Sequence, residues 1–201
     1  MKSIVTLCFI SLLFFNTKAQ VDWQIDMMHS YVGFELLYMN IIPFHGKFEK
    51  VEGTVTATKK DFSDLEIKVR IPATSISTGS KEREEHLQTP DFFDMNEYPT
   101  ITFESEKVEK IGADEQSNKE RLKITGNLTL RGVTKPIELI GYFTSEPVND
   151  PWGHVKVGCS FKGQINRQDY GIAYGQVLES GALAIDNEVD LVLDIVLMRE
   201  R

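Results

Sequence analysis

Cysteine is almost missing from this chain. Two occur in 201 residues, Cys8 and Cys159, and Cys8 lies inside an N-terminal apolar run. A single thiol beyond that run cannot form an internal disulfide, so stability must come from a packed core. Long apolar stretches are missing too: the run from Ile4 to Phe15 is about 12 residues, short of the ~20 that span a bilayer, and nothing later approaches it. Basic residues are in the minority, 22 Lys and Arg against 30 Asp and Glu, for a net charge of −8. That balance excludes nucleic acid as a partner and argues against broad attraction to anionic head groups, but it leaves a buried lipid open. Histidines are few: His29, His45, His86 and His154, with no HExxH and no close His-x-His pair. No metal site is therefore expected. Ser30 and Ser180 lack the surroundings of a nucleophile elbow, and no catalytic residue is assigned. Long helical periods are absent, which excludes an alternating parallel βαβ architecture. There are no repeats and no heptads.

The first residues, MKSIVTLCFISLLFFNTKAQ, place Lys2 before the apolar run and Thr17-Lys18-Ala19 after it. This is the pattern of a secretory signal peptide, residues 1–19, with cleavage expected after Ala19. A lipoprotein is disfavoured because Cys8 sits within the run, not at its end. Loss of Lys2 and Lys18 makes the remaining chain still more acidic. Residues 20–201 are then expected to form one domain with a sizeable core. The expected destination is the periplasm or the medium, with no transmembrane segment after cleavage.

What is abundant is alternation. Leu65, Ile67, Val69 and Ile71 alternate with Glu66, Lys68 and Arg70. Leu122, Ile124, Leu128 and Leu130 share a face with Gly126, and Val155, Val157, Cys159, Phe161 and Ile165 share one with Gly163. Period two marks strands with one wet and one buried face. Further strands are expected at Val32–Tyr38, Phe48–Ala57, Thr100–Lys107, Pro136–Thr144 and Glu188–Met198, roughly eight antiparallel strands in all. A sandwich or a closed barrel would bury one face of each. Glycines inside strand patterns, at Gly46, Gly53, Gly126, Gly141 and Gly163, favour the barrel. Gly112–Lys119 and Glu146–Gly153 read as a polar loop and a turn.

One stretch departs from this rhythm: EREEHLQTPDFFDMNEYPTITFES, Glu82–Ser105. Ser77, Thr78 and Ser80 are candidate caps for a helix over Lys81–Gln88. Thr89-Pro90-Asp91 predicts a second helical start. Phe92 and Phe93 then form an aromatic knob on a short helical crossover, suited to closing a barrel end. They either pack as core or line an apolar channel. Phe34, Phe48, Phe103 and Phe161 pose the same choice, because a small barrel is filled by its side chains or leaves a cavity. His86, Arg83 and Arg167 are the polar groups expected nearest a ligand head. The alternative is that they brace the crossover through Asp91, Asp94 or Asp169. Cys159 is expected in the core, as a small hydrophobe. Asp26 and His29 are expected to hydrogen-bond locally, and Arg70, Lys156 and Lys162 to lie on wet faces.

The chain also resembles the YceI-like family. The matching residues run from Val21 to Met198: Trp23, Ile25-Asp26, His29-Ser30, Phe34, His45-Gly46-Lys47-Phe48; then Arg83, His86-Leu87, Asp91-Phe92-Phe93-Asp94, Pro99, Ile101-Thr102-Phe103; then Gly132-Val133-Thr134, Pro136, Arg167 and Asp169-Tyr170-Gly171. The resemblance implies an all-β fold, an extended eight-stranded antiparallel lipocalin-like β-barrel with a short helical crossover. It implies binding and sequestration or transport of a long apolar chain, such as a polyprenyl phosphate or a quinone, with no cofactor and no shared catalysis. A histidine frequent in the family a few residues after the Phe34 position is here Tyr38. The expected ligand-binding set is Phe34, Tyr38, Phe48, His86, Phe92, Phe93, Phe103, Phe161 and Arg167. An enzyme acting on such a lipid, a ligand-free protein-interaction module and a homodimer remain alternatives.

Overall fold

The structure, a computed structural model, describes residues 21–114, 119–143, 146–179, 181 and 183–201. The expected leader, Ser180 and the centre of the Gly112–Lys119 loop lie outside the described residues. The strands are β1 (Val21–Ile25), β2 (Tyr31–Tyr38), β3 (Ile42–Phe48), β4 (Glu52–Ala57), β5 (Glu66–Pro72), β6 (Ile76–Ser77), β7 (Thr100–Ala113), β8 (Glu120–Leu130), β9 (Val133–Phe143), β10 (Val148–Asn149), β11 (His154–Asn166) and β12 (Glu188–Glu200). One α-helix among the described residues, α1 (Lys81–Leu87), precedes β7.

These segments reduce to eight staves of an antiparallel β-barrel, with short extra strands outside. β1 and β2 lie end to end along β12, with Ile25 opposite Leu197 and Tyr31 opposite Asp194. β3 and β4 form the next broken stave, and β5 with β6 the one after it. β7, β8, β9 and β11 follow, each beside its predecessor. β12 pairs along the whole of β11, and so joins the last staves to the first. Closure removes most of the open edges that a flat sheet of this size would expose, leaving β3 unpaired on one side before Lys47. We call the end holding α1 and the Arg131-Gly132 turn the mouth, and the opposite end the floor.

Alternation reads directly into burial. Leu122, Ile124, Leu128 and Leu130 are buried, as are Val155, Val157, Cys159, Phe161 and Ile165. Several inward aromatics lie over glycines on the neighbouring strand. A Cβ at Gly46 would fall 2.3 Å from the Phe34 ring, one at Gly126 2.5 Å from Phe103, and one at Gly141 2.7 Å from Phe161. Gly46 and Gly141 face Phe34 and Phe161 directly across the ladder. The glycines thus let rings lie flat on the wall inside a narrow barrel.

Three sequence expectations need correction. The strand expected over Phe48–Ala57 is broken between Phe48 and Glu52, because the Glu49 N–H turns aside to donate to the Ser75 carbonyl at 2.9 Å. Thr89-Pro90-Asp91 starts no second helix. The chain folds back instead: Phe93 N–H donates to the Leu87 carbonyl at 3.1 Å and Met95 N–H to Gln88 at 3.0 Å. These bonds satisfy the open carbonyls at the end of α1, and Asp94, at φ 50°, makes the reversal. The Glu146–Gly153 turn also contains β10, which pairs with β11.

Candidate functional site

Inside the barrel, running from the mouth toward the floor, is a cavity of about 250 Å³. Its wall is built by the inward residues of the staves, with Phe34 and Leu36 from β2, Phe48 from β3, Phe103 from β7 and Phe161 from β11. Among the described residues every lining side chain is hydrocarbon except two, Cys159 and Arg167. Burial pushes the Cys159 thiol up to about 12, so it is a packed hydrophobe at neutral pH. A larger outer concavity of about 940 Å³ between β9 and β11 carries charges of both signs, such as Lys135, Glu138 and Lys162. It is a solvent-facing groove on the wet side of the wall. The inner cavity is the candidate site.

The mouth is closed by the segment that interrupts the strand rhythm. Ser80 caps α1, its hydroxyl accepting from Arg83 N–H at 3.5 Å. Beyond α1, Phe92 and Phe93 reach the cavity together with Leu87. Phe93 meets Phe48 edge-on at 6.3 Å, and Phe92 packs on Tyr174 at 4.7 Å. Arg131 ties the lid to the rim by donating from Nη1 to the carbonyls of Phe92 and Gly171, both at 2.9 Å. The sequence reading missed Arg131 and Tyr174. Each lies in a turn or loop, where no periodicity marks a contact.

Arg167 stands at this end with 4% of its surface exposed. It closes a loop: Nε donates to the Asp186 carbonyl at 2.9 Å, Nη1 to Ile172 at 2.9 Å and Nη2 to Ile185 at 3.4 Å. Burial lowers its pKa, and nearby Asp186 opposes that shift. Guanidinium groups keep their charge in proteins, so the site presents a cation ringed by carbonyls.

The structure brings seven of the nine expected residues to the cavity wall: Phe34, Phe48, Phe92, Phe93, Phe103, Phe161 and Arg167. The other two are not on the wall. His86 points to the surface, with Nε2 3.2 Å from Asp91 and its ring against Phe92 and Tyr174. Tyr38 lies past the rim, 47% exposed and bridged to Ile185. Arg83 stays outside as well, donating to Thr78 and lying 4.5 Å over the Phe44 ring. Asp94 and Asp169 face Arg131 and Lys135.

A sequence model of the YceI-like domain matches residues 23–197. Protein YceI of an Escherichia coli strain is 34% identical over 197 residues, 96% of either chain. A crystal structure of Campylobacter jejuni YceI superposes with a TM-score of 0.66 at 27% identity, covering 89% of this chain and 98% of that one. A polyisoprenoid binding domain from Saccharophagus degradans shares the fold at 16% identity and a TM-score of 0.59, over 88% of this chain and 97% of its own. The chain belongs to the YceI-like family.

Proposed function

From family membership and the hydrocarbon-lined cavity, we propose that this protein binds and sequesters, or carries, the apolar chain of an amphiphilic lipid. The observation that carries this reading is an apolar cavity of about 250 Å³ with, among the described residues, two heteroatom-bearing side chains on its wall. Such a volume, near the lower end of small-molecule pockets, offers water almost no partners. Each methylene moved into it from water contributes about 0.8 kcal/mol. The similar Saccharophagus degradans domain, a polyisoprenoid binder by name, supports a prenyl chain as the first candidate. Polyprenyl phosphates and quinones are the ligand classes to test.

In this reading Phe34, Phe48, Phe103 and Phe161 hold the chain, Phe92 and Phe93 seal it in, and Arg167 faces the polar head. Tyr38 and His86 act at the rim, beyond the buried chain. Among the described residues the lining offers no proton carrier near neutral pH, which suits a binding role over acid–base catalysis. Residues 20–201 are proposed to act as one domain, outside the cytoplasm, after removal of 1–19.

Native mass spectrometry of the purified protein, with organic extraction of its cargo, tests the proposal. A bound mass that fragments as a prenyl or acyl chain is the expected result. An unliganded mass that persists after incubation with quinones and polyprenyl phosphates would overturn it.

A further inference from the structure

The hairpin that joins β2 to β3 projects beyond the barrel rim, and its tip carries unusual exposure. Ile41 is 78% exposed, Ile42 58%, Tyr38 47% and Leu37 37%. From Leu36 to Phe44 no residue is charged. The first ionisable neighbours, Glu35 and His45, face each other at 3.4 Å below the tip. The turn is tightly made. Ile41 N–H donates to the Tyr38 carbonyl at 3.0 Å, with Met39 at φ 52° and Asn40 at φ 58°. Asparagine tolerates that conformation, whereas methionine is strained in it. The tip is also braced from the side, by Met39 N–H to Ala184 at 2.9 Å and Asp186 N–H to Leu37 at 3.0 Å. It is a held apolar knob.

Its inner face continues the cavity wall. Phe34 and Leu36 line the cavity, and strand alternation puts Tyr38 on the same face. Across the ladder Tyr38 faces Ile42, and Phe34 faces Gly46. An apolar track therefore runs from Ile42 and Tyr38 in solvent, past Leu36, to Phe34 inside. We propose that this hairpin docks on a lipid bilayer, dipping Ile41 into the acyl layer so that a chain can pass along the track to the cavity. This rests on the reading of the cavity as a lipid site.

Two observations favour a bilayer over a second copy of the chain. The four exposed side chains offer on the order of half of the ~800 Å² that each partner buries in a stable protein interface. The free edge of β3 is also blunted. Leu37 directs its carbonyl to Asp186, away from β3, so the Leu37–Pro43 pair is a non-hydrogen-bonded one, and the nitrogen of Pro43 faces the outer edge. A proline there removes a donor that strand addition needs. The lack of charge at the tip matches the hydrocarbon layer, and the acidic chain predicts no gain from anionic head groups.

Flotation with phosphatidylcholine vesicles tests this. The protein should float, its partitioning should be insensitive to salt, and anionic phosphatidylglycerol should not increase it. Ile41→Ser should lower partitioning about tenfold, as loss of one buried aliphatic side chain requires. It should leave binding of a micellar fluorescent prenyl probe unchanged, since Ile41 is off the cavity wall. Tryptophan placed at the apex by Ile41→Trp should shift its emission to the blue on vesicles and be quenched by brominated acyl chains. If the protein floats but never binds the probe, docking stands and the cavity reading falls. If it binds the probe but does not float, docking is overturned. Sedimentation showing a dimer that Ile41→Ser dissociates, without flotation, would overturn it in favour of a second copy.

Discussion

Mouth and floor of this barrel are both built with phenylalanine, and they do opposite things. At the floor Trp23, Phe62, Phe143 and Phe161 make a chain of contacts, with centroids 5.6, 4.0 and 6.2 Å apart and the central pair stacked. Phe62 is 4% exposed and is held at φ 54°, an unfavourable conformation for a bulky residue that the surrounding packing must maintain. At the mouth Phe92 and Phe93 are only partly buried, on a run of turns tied down by Arg131. At the floor Trp23 and Phe62 sit outside the cavity lining, in the packed core, and Phe143 and Phe161 close the cavity from that side. Behind the mouth rings lies the cavity. Both ends use aromatic rings; what differs is whether a ring can move without leaving a hole.

The largest test of this contrast compares ring deletions. Phe62→Ala should destabilise the fold by about 4 kcal/mol, because a stacked core ring leaves a cavity that cannot collapse. Phe92→Ala combined with Phe93→Ala should lower stability by about 1–2 kcal/mol, because these rings are half-buried. The pair should weaken prenyl-probe affinity about tenfold or more. Urea unfolding and probe titration give both numbers. Normal probe binding by the double variant would reduce the lid to a structural corner.

A smaller test uses the glycines. A Cβ at Gly141, near the floor, meets the Ser160 carbonyl oxygen at 1.9 Å and the Phe161 Cα at 2.6 Å. Backbone must move, so Gly141→Ala should cost about 3 kcal/mol. At Gly46 the obstacle is the far end of the Phe34 ring, which can swing into the cavity. Gly46→Ala should cost about 1 kcal/mol and reduce the room for a ligand. Equal losses in urea unfolding would mean that the two halves are equally rigid.

These contrasts also mark what the sequence made readable. Leu122 through Leu130 announced their buried face because period two is a local property of one strand. Glycines within strands pointed to a barrel, and four expected phenylalanines from the strands lie on one wall. Ile42–Phe48 stayed hidden because Pro43 argues against a strand, yet it is tolerated where its nitrogen faces the free edge. The second helical start failed because closing α1 required a reversal at Asp94, a tertiary demand that Thr89-Pro90 could not reveal. Arg167 was expected near a ligand head, with carboxylates as the alternative; it lies on the cavity wall, and its protein partners are carbonyls, which every residue carries. Lys156 was expected as an ordinary wet-face residue. It instead meets Asp26, 130 positions away, at 2.8 Å, a pairing that no local pattern encodes.

That last pair gives the smallest expected effect, and one confined to the floor half. Lys156 Nζ sits between Asp26 at 2.8 Å and Asp150 at 3.7 Å, with His29 2.8 Å from Asp26 and His154 3.1 Å from Asp150. Burial opposes ionisation of Asp26, but hydrogen bonds from Lys156 and His29 outweigh it and hold the carboxyl below its usual 3.8. Asp61 is drawn to about 2 by its hydrogen bond from Lys110. A folded-state pKa below the unfolded one contributes stability that is complete above the unfolded value and fades as pH falls through the folded value. Stability should therefore be level through neutral and mildly acidic pH, then fall from near 3.8 toward about 2. In Lys156→Met the burial of Asp26 loses its main counterweight, so the folded-state carboxyl titrates higher and the part of the acid fall that Asp26 carries shrinks or reverses. The two stability curves should be furthest apart near neutrality and converge in acid, where Asp26 is protonated in both. Affinity for an uncharged prenyl probe should stay flat wherever the fold is intact, since among the described residues the cavity wall holds only Arg167 and a thiol near 12 as titratable groups. A probe affinity that follows the Lys156→Met stability curve at pH values where both proteins are fully folded would show that the two ends are coupled and that the floor takes part in binding.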